Sequence, residues 1–274
     1  IAILMSTYNS GIYLVEQIQS LLKQSNRDWE LFIRDDGSTD NTLDIITEYS
    51  GKYANIHFLS DSLKKLGPRD SFLFLLQRVK APYYMFCDHD DVWLFDKIER
   101  TYSLMKRTVN EYPNMPVLIC TDLCVVDDKL NIRSESLWHL CKVYPDILCT
   151  NYRYLSVCNF VTGCTVMIND AVKSLIYPYS KNAPMHDFLI ALKVAQYGII
   201  RYLNAPTILY RQHGSNVIGA DAYPTNIVIV KLFSMIKMFR LNYALYKSIS
   251  SVVSISYTEY WLYKIKYFFK RFRS

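Results

Sequence analysis

The sequence predicts an α/β fold, with a Rossmann-like, mostly parallel, doubly wound sheet flanked by helices and a basic, aromatic, helical C-terminal extension. Three observations carry this expectation. Short apolar runs alternate with segments of helical hydrophobic period over the first half of the chain. Polar loops follow several of the apolar runs, at the edge where open α/β sheets bind ligands. The last part of the chain turns basic and aromatic and loses its strand signals.

In chain order, residues 1–5 predict a strand and Ser6-Thr7-Tyr8-Asn9-Ser10-Gly11 a loop. Ile12, Val15, Ile18, Leu21 and Leu22 then recur at helical spacing. Residues 31–33 predict a second strand, followed by Arg34-Asp35-Asp36-Gly37-Ser38-Thr39-Asp40. Thr39 or Asp40 can cap the next helix, which carries Leu43, Ile46 and Tyr49. Residues 56–59 predict a third strand, 72–79 a helix and 83–87 a fourth strand. A helix is expected over 96–112 and strands over 117–120 and 123–126. The stretch 131–160 reads as irregular with short helices. A strand at 165–168, a helix at 187–197 and strands at 199–203 and 207–211 complete the body. No internal repeat or low-complexity tract is present.

A chain of 274 residues with 51% hydrophobic and 20% charged residues can bury a large core and is not disordered. No apolar run reaches 18 residues, so no transmembrane helix is expected. No signal peptide is visible, although the chain opens on Ile1 inside a strand. The cysteines, at 87, 120, 124, 141, 149, 158 and 164, are odd in number and form no CxxC pair. Buried free thiols in a reducing cytosol are the expected state, and no zinc site is expected. Residues 231–274 hold nine Lys/Arg and one acid, Glu259, so the tail carries +8 of a formal net +6 and the rest −2.

The densest chemistry lies in Phe86-Cys87-Asp88-His89-Asp90-Asp91-Val92-Trp93. Carboxylates this close raise one another's pKa unless something positive sits among them. A divalent cation is one solution, because hard cations take carboxylate and phosphate oxygens. A solvated acidic turn is the alternative.

STYN after the first strand, DDGSTDNT after the second and DHDDVW after the fourth resemble, in this order, the family-2 glycosyltransferases with the GT-A fold. MHDFLIALKVAQYG and LYRQHGSNVIG resemble the rhamnosyltransferase-like branch of that family. The resemblance covers about residues 1–219, the expected catalytic domain, and leaves 220–274 as a helical extension. It implies inverting, single-displacement transfer from a UDP- or dTDP-sugar to a saccharide acceptor, with Mg²⁺ or Mn²⁺ as cofactor. The implied setting is bacterial surface polysaccharide or glycoconjugate synthesis, with a lipid-linked acceptor as one version.

The same resemblance distributes roles. Thr7 and Tyr8 line the nucleotide pocket, and Asp36 binds the pyrimidine. An ionised carboxylate only accepts hydrogen bonds, and a uracil or thymine N3–H donates one. Capping of the following helix is the other reading of Asp35 and Asp36. Asp88 is assigned to the ribose or donor sugar, Arg69 to the base or a phosphate, and Arg211 to a phosphate or a supporting layer. Asp90 is the expected metal ligand, with His213 near the metal. Asp91 contacts the donor sugar or supports the site from behind. Asp187 is the expected general base, with His186 orienting it or sharing in acceptor binding. Asp187 could instead be an N-cap, and a helix N-terminus lowers a carboxylate pKa, which works against basicity. His89 reads as a spacer and Trp93 as core or pocket wall.

Two other functions are weighed. A non-catalytic nucleotide-sugar-binding homologue does not explain an intact acidic motif together with Asp187. A nucleotidyltransferase wants a Gly-rich basic loop after the first strand, and STYNSG is not one. No nucleic-acid partner is expected. The tail's aromatics and cations predict an amphipathic helix on a membrane surface, which places the protein in the cytoplasm, peripheral at the inner face of the plasma membrane. The alternative is a helical pair that covers the catalytic domain or forms a homodimer.

Overall fold

The computed structural model describes residues 1–213 and 231–271. The expected domain boundary at 219/220, residues 214–219 of the last motif and residues 272–274 lie outside the described residues, as do the side chains of 231–239.

The chain opens with β1 (Ala2–Thr7), α1 (Leu14–Leu22), β2 (Glu30–Asp35), α2 (Thr42–Lys52), β3 (Ile56–Phe58), α3 (Gly67–Arg78) and β4 (Tyr83–Cys87). It continues through β5 (Val92–Trp93), α4 (Lys97–Glu111), β6 (Val117–Val126), β7 (Ile132–Ser134), α5 (Leu137–Leu140), α6 (Pro145–Leu148) and α7 (Tyr152–Val157). A 3-10 turn at Gly163–Thr165 precedes β8 (Met167–Asn169), α8 (Lys173–Ile176), α9 (His186–Tyr197) and β9 (Ile199–Arg211). After the undescribed segment come α10 (Lys231–Ser250) and α11 (Tyr257–Arg271).

One nine-stranded sheet runs β3-β2-β1-β4-β8-β6-β9-β5, with β7 paired to β6. β3, β2, β1 and β4 are mutually parallel, β8 is antiparallel to both β4 and β6, and β6 and β9 are parallel. Both faces of the sheet are covered, so β1 and β6 are buried at every position. Leu4, Tyr84 and Phe86 point into one apolar cluster, and Ile3, Met5 and Met85 into the other.

Several boundaries move from the sequence reading. α1 buries Leu14, Ile18 and Leu21 but starts after Ile12, which is 84% exposed. On α2 the buried positions are Ile45 and Ile46, and Leu43 faces outward. Neither Thr39 nor Asp40 is the N-cap of α2; that position is Asn41, and Asp40 Oδ1 accepts from the Thr42 amide at 3.1 Å. Four short expected strands are two long ones, β6 and β9. Polar Asp122 and the Asn204-Ala205-Pro206 stretch read as breaks, but register shifts around Asp122 absorb them and pairing resumes at Cys124↔Leu209. The strand expected at 165–168 begins later, at Met167.

The tail divides into two faces. Ile249, Val252, Val253, Ile255, Tyr260 and Tyr267 are buried in the same core as Trp138 and Leu155. A capping box starts α11: Glu259 Oε2 accepts from the Ser256 amide at 3.0 Å, and the Glu259 amide donates to Ser256 Oγ at 3.2 Å. Arg153 Nε then meets Glu259 Oε1 at 3.1 Å, tying α7 to α11. Of the two readings of the tail, the helical cover accounts for one side: Tyr260 and Tyr267 pack on the body, while the opposite side of α11 is exposed. No helix among the described residues is long and apolar enough to cross a membrane. All seven cysteines are free, and Cys87, Cys120, Cys124 and Cys164 are buried.

Candidate active site

The register of the parallel strands sets the site. Thr7 pairs with Asp35 and Met5 with Cys87, so the loops after β1, β2 and β4 leave the sheet side by side. They open into a cavity of about 910 Å³. Its opposite wall comes from Trp138, residues 159–163 and the start of α9. Thr7, Tyr8, Asp36, Asp88, Asp90, His186, Asp187 and His213 all line it. Arg69, Asp91 and Arg211 do not.

On one side, Thr7 Oγ1 donates to Asp35 Oδ1 at 2.9 Å. Asp35 also accepts from the Gly37 and Ser38 amides at 2.9 and 2.8 Å, so it closes its own turn. Gly37 has φ +96°, a conformation other residues adopt only with strain. Asp36 caps α3 rather than α2: its carboxylate accepts from Leu66 and Gly67 amides at 2.9 and 2.8 Å. Arg34 Nη1 adds a third bond to Asp36 at 2.8 Å. A carboxylate has about four lone-pair positions, so one remains for a donor in the cavity. Arg34 is itself fully buried and divided among Asp36, Asp61, Ser71 and the Leu63 carbonyl. Tyr8 stands at the mouth, half exposed.

The acidic loop sits deeper. Burial, then the charges of Asp90 and Asp187, push the Asp88 carboxyl up to about 7. Asp88 keeps some water contact, because it lies on the cavity floor. Asp91 is fully buried, and burial followed by the Asp90 and Asp88 charges raises its pKa strongly. Asp91 Oδ1 accepts from the Arg211 amide at 3.1 Å, whereas its Oδ2 has no hydrogen-bond partner among the described residues. Asp90 Oδ2 lies 2.9 Å from His213 Nε2. Adjacent ligands of an octahedral Mg²⁺ or Mn²⁺ at about 2.1 Å are about 3 Å apart, so this pair fits two neighbouring coordination positions. Asp88, Asp91 and Cys164 also bring ligand atoms within 4.8 Å of one another. That group fits a hard cation less well, because Asp91 is off the cavity and a thiol is a soft ligand.

Two arginines are placed differently from the sequence expectation. Arg69 Nε bonds Asp70 at 2.8 Å, and its Nη1 donates to the carbonyls of Lys181 and Ala183 at 3.0 and 2.8 Å. It anchors the loop before α9 instead of lining the nucleotide pocket. Arg211 is 2% exposed and donates to the Asp90 carbonyl at 2.8 Å and to Glu16 at 2.5 Å. It braces the acidic loop from behind and does not reach the cavity. His89, read as a spacer, lines the cavity, and Trp93 is core.

Across the cavity, α9 begins at His186 with Met185 as N-cap, so Asp187 lies in the first turn. Asp187 Oδ1 accepts from the Phe188 amide at 2.7 Å. Burial nevertheless raises its pKa to about 6, outweighing the amides of Phe188 and Gly163. The conflict between helix terminus and basicity is thus decided by desolvation. His186 packs on Phe72 and Phe86, with ring centroids 4.4 and 5.2 Å away. Burial lowers its pKa to about 3, so it is neutral. Both ring nitrogens are buried without a hydrogen-bond partner, so His186 does not orient Asp187 by a hydrogen bond.

Sequence reasoning missed Gly163. A Cβ there would stand 2.8 Å from His186 Nε2, so any larger residue would force the imidazole to shift. It also missed Arg34 and the wall residues Tyr13, Trp138, Phe160 and Tyr210. A lone glycine in TGCT and an arginine before DDGS are the only local signals.

The family model for Glycosyl transferase family 2 matches residues 2–174. The dTDP-rhamnosyl transferase RfbG of Shigella flexneri is 29% identical over 232 residues, 79% of this chain and 74% of that protein. An Escherichia coli protein, UDP-Glc:alpha-D-GlcNAc-diphosphoundecaprenol beta-1,3-glucosyltransferase WfaP, is 26% identical over 79% of each chain. Some other curated relatives are matched over less than half of their own length. The crystal structure of S. aureus TarS 1-349 in complex with UDP-GlcNAc aligns at TM-score 0.60 and 17% identity, covering 98% of this chain and 71% of that one, a likeness of fold. With its GT-A architecture and a family match over more than half its length, the chain belongs to glycosyl transferase family 2.

Proposed function

We propose that the chain is an inverting glycosyltransferase that moves a sugar from a UDP- or dTDP-sugar to a saccharide acceptor. The observation that carries this is one cavity with Asp36, Asp88 and Asp90 on one wall and a partly buried, basic carboxylate, Asp187, on the other. The remaining lone pair of Asp36 suits a pyrimidine N3–H, and Tyr8 flanks the base. Thr7 holds the Asp35 turn that shapes this pocket. Asp187 accepts the proton of the acceptor hydroxyl; with a pKa of about 6 it is largely ionised at neutral pH yet more basic than an exposed carboxylate. Neutral His186, with both ring nitrogens unpartnered, suits a sugar hydroxyl on either the donor or the acceptor. Asp90 and His213 are the residues that would hold Mg²⁺ or Mn²⁺, which when bound would neutralise charge developing on the diphosphate leaving group. Arg211 and Asp91 keep that loop in place.

The names of the relatives favour a bacterial surface saccharide, with a dTDP-rhamnose or UDP-glucose donor and an acceptor carried on a diphosphoundecaprenol lipid as precedents. Such an acceptor puts residues 1–219 to work as the catalytic unit beside the inner leaflet, with 220–274 as the membrane-proximal extension. Incubation with a panel of nucleoside diphosphate sugars, with Mn²⁺ and with chelator, tests the reading. The expected result is release of a nucleoside diphosphate from a UDP- or dTDP-sugar, lost in chelator, and reduced by on the order of 100-fold in Asp90→Asn. Release of pyrophosphate, a purine preference or full activity in chelator would overturn it.

A further inference from the structure

α11 carries two apolar faces, and packing explains only one. Tyr260 and Tyr267 are 0% and 5% exposed against the body. Half a helical turn away stand Leu262, Ile265 and Phe269, 47%, 52% and 61% exposed, with Phe268 beside them. Lys264, Ile265, Phe268 and Phe269 form a shallow apolar cleft. On α10, Leu241 and Leu245 are exposed as well. Exposed apolar surface of this kind marks an interaction site.

The charge around it selects the partner. Arg240, Lys247, Lys266 and Lys270 are exposed along the two helices. Glu259 is the one acid in 231–274, and Arg153 and Ser256 already engage it. An apolar stripe bordered by cations and free of unpaired acids is complementary to an anionic bilayer, where acyl chains take the stripe and headgroups the lysines. The aromatic residues that the core needs lie on the opposite face, so seating α11 on lipid requires no unfolding.

We propose that the outer face of α11, with the exposed side of α10, is a docking surface for an anionic lipid membrane. This rests on the membrane-proximal acceptor assigned above. Vesicle binding is measured without sugar transfer, so either reading can fail alone.

The test is flotation of the full chain with phosphatidylglycerol–phosphatidylcholine vesicles and with phosphatidylcholine alone, at low and high salt. The expected result is binding to the anionic vesicles only, weakened by high salt. The double variant Ile265→Glu/Phe269→Glu should bind at least about tenfold more weakly, and Lys266→Glu severalfold more weakly. Both should keep the thermal midpoint of the parent. Three results would overturn the proposal: no flotation of the intact chain at low salt, flotation indifferent to the double variant, or sedimentation showing a dimer that the same variant dissociates. The last would assign the face to a second copy of the chain.

Discussion

Asp36 and Asp187 face each other across one cavity and are treated in opposite ways. Asp36 receives two amides and a buried arginine at 2.8–2.9 Å, and its loop is held by further bonds from Asp35. Asp187 is partly buried with fewer donors, beside a buried imidazole that has none, and its pKa rises to about 6. The first side is finished before any ligand arrives, so binding there costs little reorganisation. The second side is left unsatisfied, and an unsatisfied buried group is the form in which a protein holds a base or a hydroxyl-binding group ready.

Removing the proposed base breaks the comparison most severely. Asp187→Asn should lower transfer by about 10²–10⁴-fold while leaving UDP or dTDP affinity nearly unchanged, measured by turnover and calorimetry in parallel. Affinity that collapses with rate would move Asp187 to the donor side. The pH dependence follows from the raised pKa. Transfer should increase as pH rises through about 6 and then level off. Stability runs the other way. The folded state prefers the protonated acid, so this contribution is full below the ordinary carboxylate pKa of 3.8 and lost as pH rises through about 6. A shift of that size corresponds to about 3 kcal/mol. Asp187→Asn should therefore be more stable than the parent at pH 8 and not at pH 3.5, read from denaturant midpoints.

A smaller effect is expected on the finished side. Asp36→Asn keeps the shape but loses the charge that Arg34 and the two amides face. Pyrimidine nucleotide affinity should fall about 10-fold or more, with a loss of roughly 1–2 kcal/mol in stability because the α3 cap weakens. Unchanged affinity would leave Asp36 as a helix cap alone.

The smallest expected change sharpens the comparison. Gly163→Ala puts a methyl group 2.8 Å from His186 Nε2, so the imidazole must turn between Phe72 and Phe86. Turnover should drop severalfold with nucleotide affinity intact, a cost of about 1–2 kcal/mol as for other overpacked sites. A parallel loss of nucleotide affinity would mean that His186 serves the donor.

The N-terminal half was legible from local pattern. Strand-and-helix alternation forces parallel pairing, and parallel pairing sends the loops after β1, β2 and β4 to one edge, so Thr7, Asp36 and Asp88 had to meet. The motif order in that half likewise pointed to the family before any contact was known. Tertiary structure decided the rest. The Arg69 anchor to Ala183 spans 114 residues and the Arg211 salt bridge to Glu16 spans 195, whereas the meeting of Asp90 and His213 was expected from the family resemblance alone. No spacing rule reaches that far, so an arginine drawn toward phosphate by its type could be a brace by its place. The faces of the tail were equally hidden, because aromatic periodicity on α11 is the same whether a side chain meets Tyr154 or solvent. Protonation is the clearest case: Asp187 stands at a helix N-terminus, which lowers a carboxylate pKa, yet it is basic because the surrounding chain removes water from it, and desolvation is a property of the packed whole.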